Sequence, residues 1–139
     1  RDDVESRGLG DVYKRQIKIL GPTDNVPAAL CESSIYVLSS RYEGFPLTIC
    51  EAMTCGLPIV SFDCPSGPAE LISHGLNGFL VKNVGDTDTM ARHISSLIEN
   101  ENMRKRYGSE SLRMSKEYNI EKILAQWVSL FERLTVSKA

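Results

Sequence analysis

Residues 35–62 read IYVLSSRYEGFPLTICEAMTCGLPIVSF, and this stretch decides the fold. It opens on IYVLSS, an apolar, partly β-branched run of the kind that forms a strand buried on both faces. It closes on IVSF, a second run of the same kind. Between them a helix starts near Pro46 and stops at Gly56. Proline suits the first helical position, because its missing N–H would be an orphan there. Strand, helix, strand predicts a βαβ unit with parallel strands.

The alternation extends in both directions. Upstream, IKIL at 17–20 predicts a short strand, GPTDN a turn, and VPAALCES a short helix with Asn25 as its cap and Pro27 in its first turn. Downstream, DCPSGP is a loop, AELISHG a short helix ending in glycine, and GFLV a short strand. Asn77-Gly78 is a turn signal. His74, beside Gly75, is expected to face solvent.

Three helical segments follow. Asp86 caps the first, with Met90, Ile94, Leu97 and Ile98 on one face. The second, near 102–112, is polar and less regular. The last, near 120–134, carries a continuous apolar stripe of Ile120, Ile123, Leu124, Trp127, Phe131 and Leu134. Two readings of it stay open: a core-facing terminal helix, or one that packs across a domain boundary. The expected fold class is α/β, a Rossmann-like parallel sheet flanked by helices, with a long C-terminal helix.

Residues 1–16, RDDVESRGLGDVYKRQ, do not fit this pattern. Half of them are charged and no apolar period is visible. They read as a non-native leader, a translated linker or adapter scar, and are set aside, so Lys14 and Arg15 receive no role. Residues 17–139 are then the domain.

Bulk properties narrow the function. A chain of 139 residues has room for one domain with a real core. Its net charge of −2 comes with no basic stripe, which argues against nucleic acid as a partner. The longest apolar runs are too short to span a bilayer, and no signal peptide is visible. Cys31, Cys50, Cys55 and Cys64 form no C-x-x-C pair and sit among small or apolar neighbours. They read as buried, reduced thiols of a cytosolic protein. With only His74 and His93 beside them, no metal site is expected.

In a parallel sheet, ligands bind at the carboxyl ends of the strands. Three loops rich in Gly, Ser, Pro and Asp fall there: 21–25, 39–45 and 63–68. Gly44 allows close approach of the backbone to a ligand. The amides of Leu47, Thr48 and Ile49 point out of the helix start and, with its dipole, form an anion site that suits a diphosphate. The Thr48 hydroxyl adds a donor. Glu43 precedes the helix, and Glu51 lies about one and a half turns inside it, roughly 8 Å along the axis. Carboxylates only accept hydrogen bonds, so each suits a pair of sugar hydroxyls. Phosphates between two sets of hydroxyls are the shape of a nucleotide diphosphate sugar.

The segment SSRYEGFPLTICEAMTCGLPIVSFDCPSGPAELISHGLNGFLV, residues 39–81, closely resembles the carboxyl-terminal domain of retaining glycosyltransferases of family 4, and the resemblance extends over 17–134. It implies one half of a GT-B fold. It also implies that Glu43, the first glutamate of an E-x7-E motif, contacts the donor sugar as the catalytic carboxylate, and that Glu51 binds the ribose. Gly44, Phe45, Pro46, Leu47 and Thr48 would surround the diphosphate, and Gly21 would lie near the base-binding region. Glu70 would tether a loop or begin a helix.

The resemblance implies a nucleotide-sugar donor, with uridine as the base, a glycan or lipid-linked acceptor, and no metal or other cofactor. It places the work in the cytoplasm, at the inner face of the plasma membrane with peripheral attachment, in synthesis of a bacterial cell-surface polysaccharide. The amino-terminal acceptor domain of that family is not seen, nor are the Arg and Lys that neutralise donor phosphates. The chain is therefore expected to be part of such an enzyme and inactive alone. A non-catalytic nucleotide-sugar-binding or interaction module is the alternative. A dinucleotide-dependent oxidoreductase is disfavoured, because no G-x-G-x-x-G follows a strand.

Overall fold

The computed structural model describes residues 18–136. Its centre is a parallel sheet of β1 (Tyr36–Leu38), β2 (Ile59–Phe62) and β3 (Gly78–Val81), in that order across the sheet. Tyr36 registers with Ile59 on one side, and Ile59 with Gly78 on the other. Helices α1 (Val26–Cys31), α2 (Leu47–Thr54) and α3 (Pro68–Leu71) interleave with the strands. Helices α4 (Thr87–Glu99), α5 (Glu101–Ser115) and α6 (Ile120–Val136) follow, with a 3-10 turn at Lys116–Tyr118 before α6.

β2 is the axis of the fold, because all four of its residues are buried. Successive side chains of a strand point to opposite faces. Ile59 therefore joins Ile49 and Met53 of α2 on one face. Val60 and Phe62 join Val81, Met90 and Leu97 on the other, under α4. Helices cover both faces, as a parallel sheet requires. The caps follow their expected chemistry. The Asn25 side chain accepts the Ala28 N–H at 3.2 Å, and Asp86 accepts that of Thr89 at 3.0 Å.

Several expectations need correction. Ile17 lies outside the described residues, and the rest of IKIL forms no strand; Ile19 is 85% exposed. So short a run gains nothing from extension without a neighbouring strand to bond. β1 is not buried on both faces: Val37 is exposed and Tyr36 and Leu38 are half-buried. It borders only β2, so one edge lacks a covering strand among the described residues. Helix α3 stops at Leu71 because Ile72 is already extended, well short of Gly75. Ile98 turns out to solvent, off the face of Met90 and Leu97. α5 is a regular fifteen-residue helix. The stripe on α6 is exposed, with Trp127 at 53%, so the core-facing reading fails among the described residues.

The larger correction is Asn77-Gly78, which is far more than a turn. Asn77 is fully buried. Its amide donates to the Leu71 carbonyl at 3.0 Å and accepts the Ser73 N–H at 2.8 Å. Its own carbonyl accepts the Ile59 N–H at 3.2 Å and the Ser111 hydroxyl at 3.2 Å. One residue thus ties β3 to β2, to the segment after α3, and to α5. Gly78 follows because a Cβ there would stand 2.1 Å from the Ile59 carbonyl oxygen.

Asn77→Ala strands the buried Leu71 carbonyl, at about 1–3 kcal/mol, and also leaves the part-buried Ser73 N–H without its acceptor. Urea unfolding should show a loss on the order of 2–4 kcal/mol with an unchanged denaturant slope. A loss under about 0.5 kcal/mol would show that the network is not needed.

Candidate functional site

The loop after β1 and the loop after β2 meet at the carboxyl end of the sheet. Pro46 is buried while Gly44 and Phe45 are exposed. Ser66 and Gly67 carry them from the other side. Gly67 has φ +109°, and a Cβ on it would lie 2.3 Å from Pro46 Cδ and 3.1 Å from the Gly44 carbonyl oxygen. Ser66, at φ +67°, is the only non-glycine residue in the left-handed region among those described. Such a conformation costs on the order of 1–3 kcal/mol and persists only where the surroundings enforce it. Two left-handed residues in a row turn the second loop so that it backs directly onto the first.

Glu43 is half-buried in this junction, beside Cys64. Burial first, and then the Glu43 carboxylate, push the Cys64 thiol above its ordinary range. Cys64 is therefore a protonated wall of the site. Phe45 packs against Tyr118, with ring centroids 6.4 Å apart, and the Tyr118 hydroxyl donates to the Glu70 carbonyl at 3.0 Å. Glu70 itself lies exposed in the first turn of α3.

The start of α2 differs in detail from expectation. Pro46 is the N-cap residue and not the first helical one. The first turn is tight: Leu47 N–H donates to the Phe45 carbonyl and Ile49 N–H to the Pro46 carbonyl, both at 2.9 Å. Of the three amides expected to be free, only Thr48 N–H has no acceptor among the described residues. The amides of Gly44 and Phe45 have none there either. The free donors thus run through the loop into the helix rather than along its first turn.

Glu51 is exposed on α2. Its face is shared with Leu47 and Thr48, four and three residues earlier, while Ile49, Ala52 and Met53 turn into the core. The structure thus gathers Glu43, Gly44, Phe45 and Pro46 at the loop junction, and aligns Leu47, Thr48 and Glu51 along one open helix face. The loop at 21–25 joins neither group through a hydrogen bond among the described residues.

Sequence reasoning missed a second feature. A cavity of about 600 Å³ opens beyond the ends of β2 and β3, lined by Asp63, His74, Lys82, Asp86, Thr89 and His93. His74 is exposed as expected but tethered, since its Nδ1 accepts the Leu80 N–H at 3.2 Å. His93 stacks on Phe79 at 4.2 Å and lies 5.6 Å from His74, centroid to centroid. The spacing of His93 on α4 relative to Phe79 was a usable signal only once β3 and α4 were known to pack together.

Burial, then His74, then Arg92 lower the His93 pKa. The folded state therefore binds this proton less readily than the unfolded one, whose pKa is about 6.5. The contribution to stability is intact above that value and is lost as pH falls through the lower folded value. Thermal melts at pH 7.5 and 5.5 should show a drop in Tm that His93→Gln makes smaller. An equal drop in both proteins excludes His93 as the source.

A paired substitution tests the loop junction. Gly67→Ala should destabilise by about 2–4 kcal/mol through the Pro46 clash and the left-handed backbone. Gly44→Ala, with no atom within 4 Å of the new Cβ, should cost under about 1 kcal/mol. Similar chemical-denaturation losses from both would remove the junction as their cause.

Comparison with known proteins identifies the family. The family described as "Glycosyl transferases group 1" matches residues 9–114. An uncharacterized glycosyltransferase of Haemophilus influenzae is 38% identical over 80% of the chain, which covers 31% of that protein. A poly(ribitol-phosphate) alpha-N-acetylglucosaminyltransferase of Staphylococcus aureus is 33% identical over 92% of the chain, covering 25% of its length. The structure of a mutant of S. aureus TarM in complex with fondaparinux, alpha-GlcNAc-glycerol and UDP matches with a TM-score of 0.79 at 31% identity, over 86% of this chain and 24% of that one. That of Anabaena HepE in complex with UDP matches with a TM-score of 0.81 at 27% identity, over 88% of this chain and 34% of that one. The chain spans about a third or less of the length of these relatives.

Proposed function

The chain belongs to the group 1 glycosyl transferases, and from that premise we propose that it is the donor-binding part of a retaining, family 4 enzyme that uses a UDP-sugar. Its sheet and flanking helices are those of one half of a GT-B fold. The observation that carries the proposal is the loop junction. Gly67 fits only as glycine against Pro46 and Gly44, in the junction that holds Glu43 and the amides of Gly44, Phe45 and Thr48, which have no acceptor among the described residues.

In this reading the amides of Gly44, Phe45 and Thr48, with the dipole of α2, bind the diphosphate. Phe45, Pro46 and Leu47 shape the loop around it. Glu43 accepts hydrogen bonds from donor-sugar hydroxyls next to the reacting carbon. Glu51, on the open face of α2, accepts those of the ribose. Neither role would call for a metal if the charge that develops on the departing nucleoside diphosphate meets backbone donors here and basic side chains elsewhere in the enzyme. The acceptor, a glycan or lipid-linked sugar of a bacterial surface polysaccharide, would meet a second domain at the inner membrane face. Among the described residues no helix is long and apolar enough to cross a membrane. The site as described is half of one, so this chain alone would bind donor weakly and transfer no sugar.

Calorimetric titration with UDP tests this. The expected Kd is on the order of 0.1–1 mM, or about −4 to −5.5 kcal/mol, and Glu51→Ala should abolish the signal. Binding that survives Glu51→Ala unchanged removes Glu51 from the nucleotide site. No binding to protein shown to be folded by its melting transition overturns the claim that this chain holds a donor site by itself.

A further inference from the structure

The four cysteines are not the buried set that their neighbours suggested. Only Cys64 is buried; Cys50 and Cys55 are half-buried, and Cys31 is exposed. Two of them meet. Cys31 is the last residue of α1 and Cys55 caps the end of α2, and their Sγ atoms lie 3.3 Å apart. Of the four thiols, only these two are in contact.

We propose that Cys31 and Cys55 form a site for a reversible intramolecular disulfide, closed by a small-molecule disulfide. A disulfide bond is about 2.05 Å long, so the sulfurs close by little more than an ångström. Both residues sit at helix ends, where a small rotation of the side chain disturbs no helical hydrogen bond in mid-run. The ring so formed contains β1, the Glu43 loop and all of α2, and the bond itself lies where α1 and α2 lead into β1 and β2, at the end of the sheet opposite the candidate site.

The chemistry balances in two exchanges. The Cys31 thiolate attacks the disulfide RSSR, forming a mixed disulfide on Cys31 and releasing one thiolate. The Cys55 thiolate then attacks the Cys31 sulfur, forming the Cys31–Cys55 bond and releasing the second. Two protein thiols lose two electrons to RSSR, and their protons leave with two RSH. Burial and the adjacent Cys31 thiol hold the Cys55 thiol above its ordinary range, so the second exchange quickens as pH rises. Exposure of Cys31 makes it the thiol that attacks first.

The test treats the folded 139-residue chain with oxidised glutathione, then blocks and counts free thiols and maps peptides without reduction. Two thiols should disappear, the mapped link should join Cys31 to Cys55, and Tm should rise by several degrees until dithiothreitol restores it. Cys31→Ser and Cys55→Ser should each abolish the link, and Cys50→Ser should keep it. Four free thiols, glutathione held on Cys31 without closure, or a link through Cys50 or Cys64 each overturn the proposal.

Discussion

The rest of the structure depends on how β2 is held. It is the one strand of the described sheet bonded along both edges, and its four residues are buried in alternation against α2 and α4. A strand so enclosed cannot slip by a residue without turning one whole side-chain set to the wrong face. Its register with β3 is fixed by the Asn77 carbonyl on Ile59 N–H and by the absence of a side chain on Gly78. A buried amide with both of its ends bonded acts as a rigid strut, because leaving either end unpaired costs more than the bond returns.

That strut lies at the amino end of the sheet, and the candidate site lies at the carboxyl end. The separation has a physical consequence. α5 is held at the amino end through Ser111 on the Asn77 carbonyl, so the carboxyl end stays open for loops. What shapes those loops is local: the left-handed Ser66-Gly67 pair, the buried Pro46 and the tight first turn of α2. The fold supplies a fixed platform, and strain confined to a few residues sets the direction of the donors upon it.

Much of this was legible. The α2 segment, its proline entry and glycine stop, the buried β2, the caps Asn25 and Asp86, and the meeting of the 39–45 and 63–68 loops all follow from local chemistry that acts within a few residues. What escaped was set by distant partners. Asn77-Gly78 has the composition of any turn, and only the approach of Ile59 and Ser111 makes it a buried junction. The four cysteines have similar apolar neighbours, and tertiary position alone separates buried Cys64 from exposed Cys31. IKIL has the pattern of a strand, but a strand requires a neighbour. The α6 stripe has helical period yet lies open, since period reports that a face is apolar and not what covers it.

The electrostatics of the proposed site carry the reading one step further. Glu43 and Glu51 bring two negative charges to a place assigned to a diphosphate. The ion pairs of the described residues, Glu101–Lys105, Glu110–Arg113 and Glu117–Lys122, all lie on α5 and beyond. The helix dipole is worth about half a charge at its start, and its effect fades within the first turn. Free amides at Gly44, Phe45 and Thr48 add donors but no net charge. Two carboxylates and a diphosphate repel one another unless cations meet them, and Arg41, two residues before Glu43, and Lys82, just after β3, are exposed basic residues at this end of the sheet. Under the proposed reading the carboxylates would contribute orientation, by accepting hydrogen bonds from hydroxyls on either side of the phosphates. Affinity has to come from the source of positive charge. Under the proposed reading, Glu43 and Glu51 would orient the ligand from separate supports, one half-buried in the loop junction and the other on an open helix face.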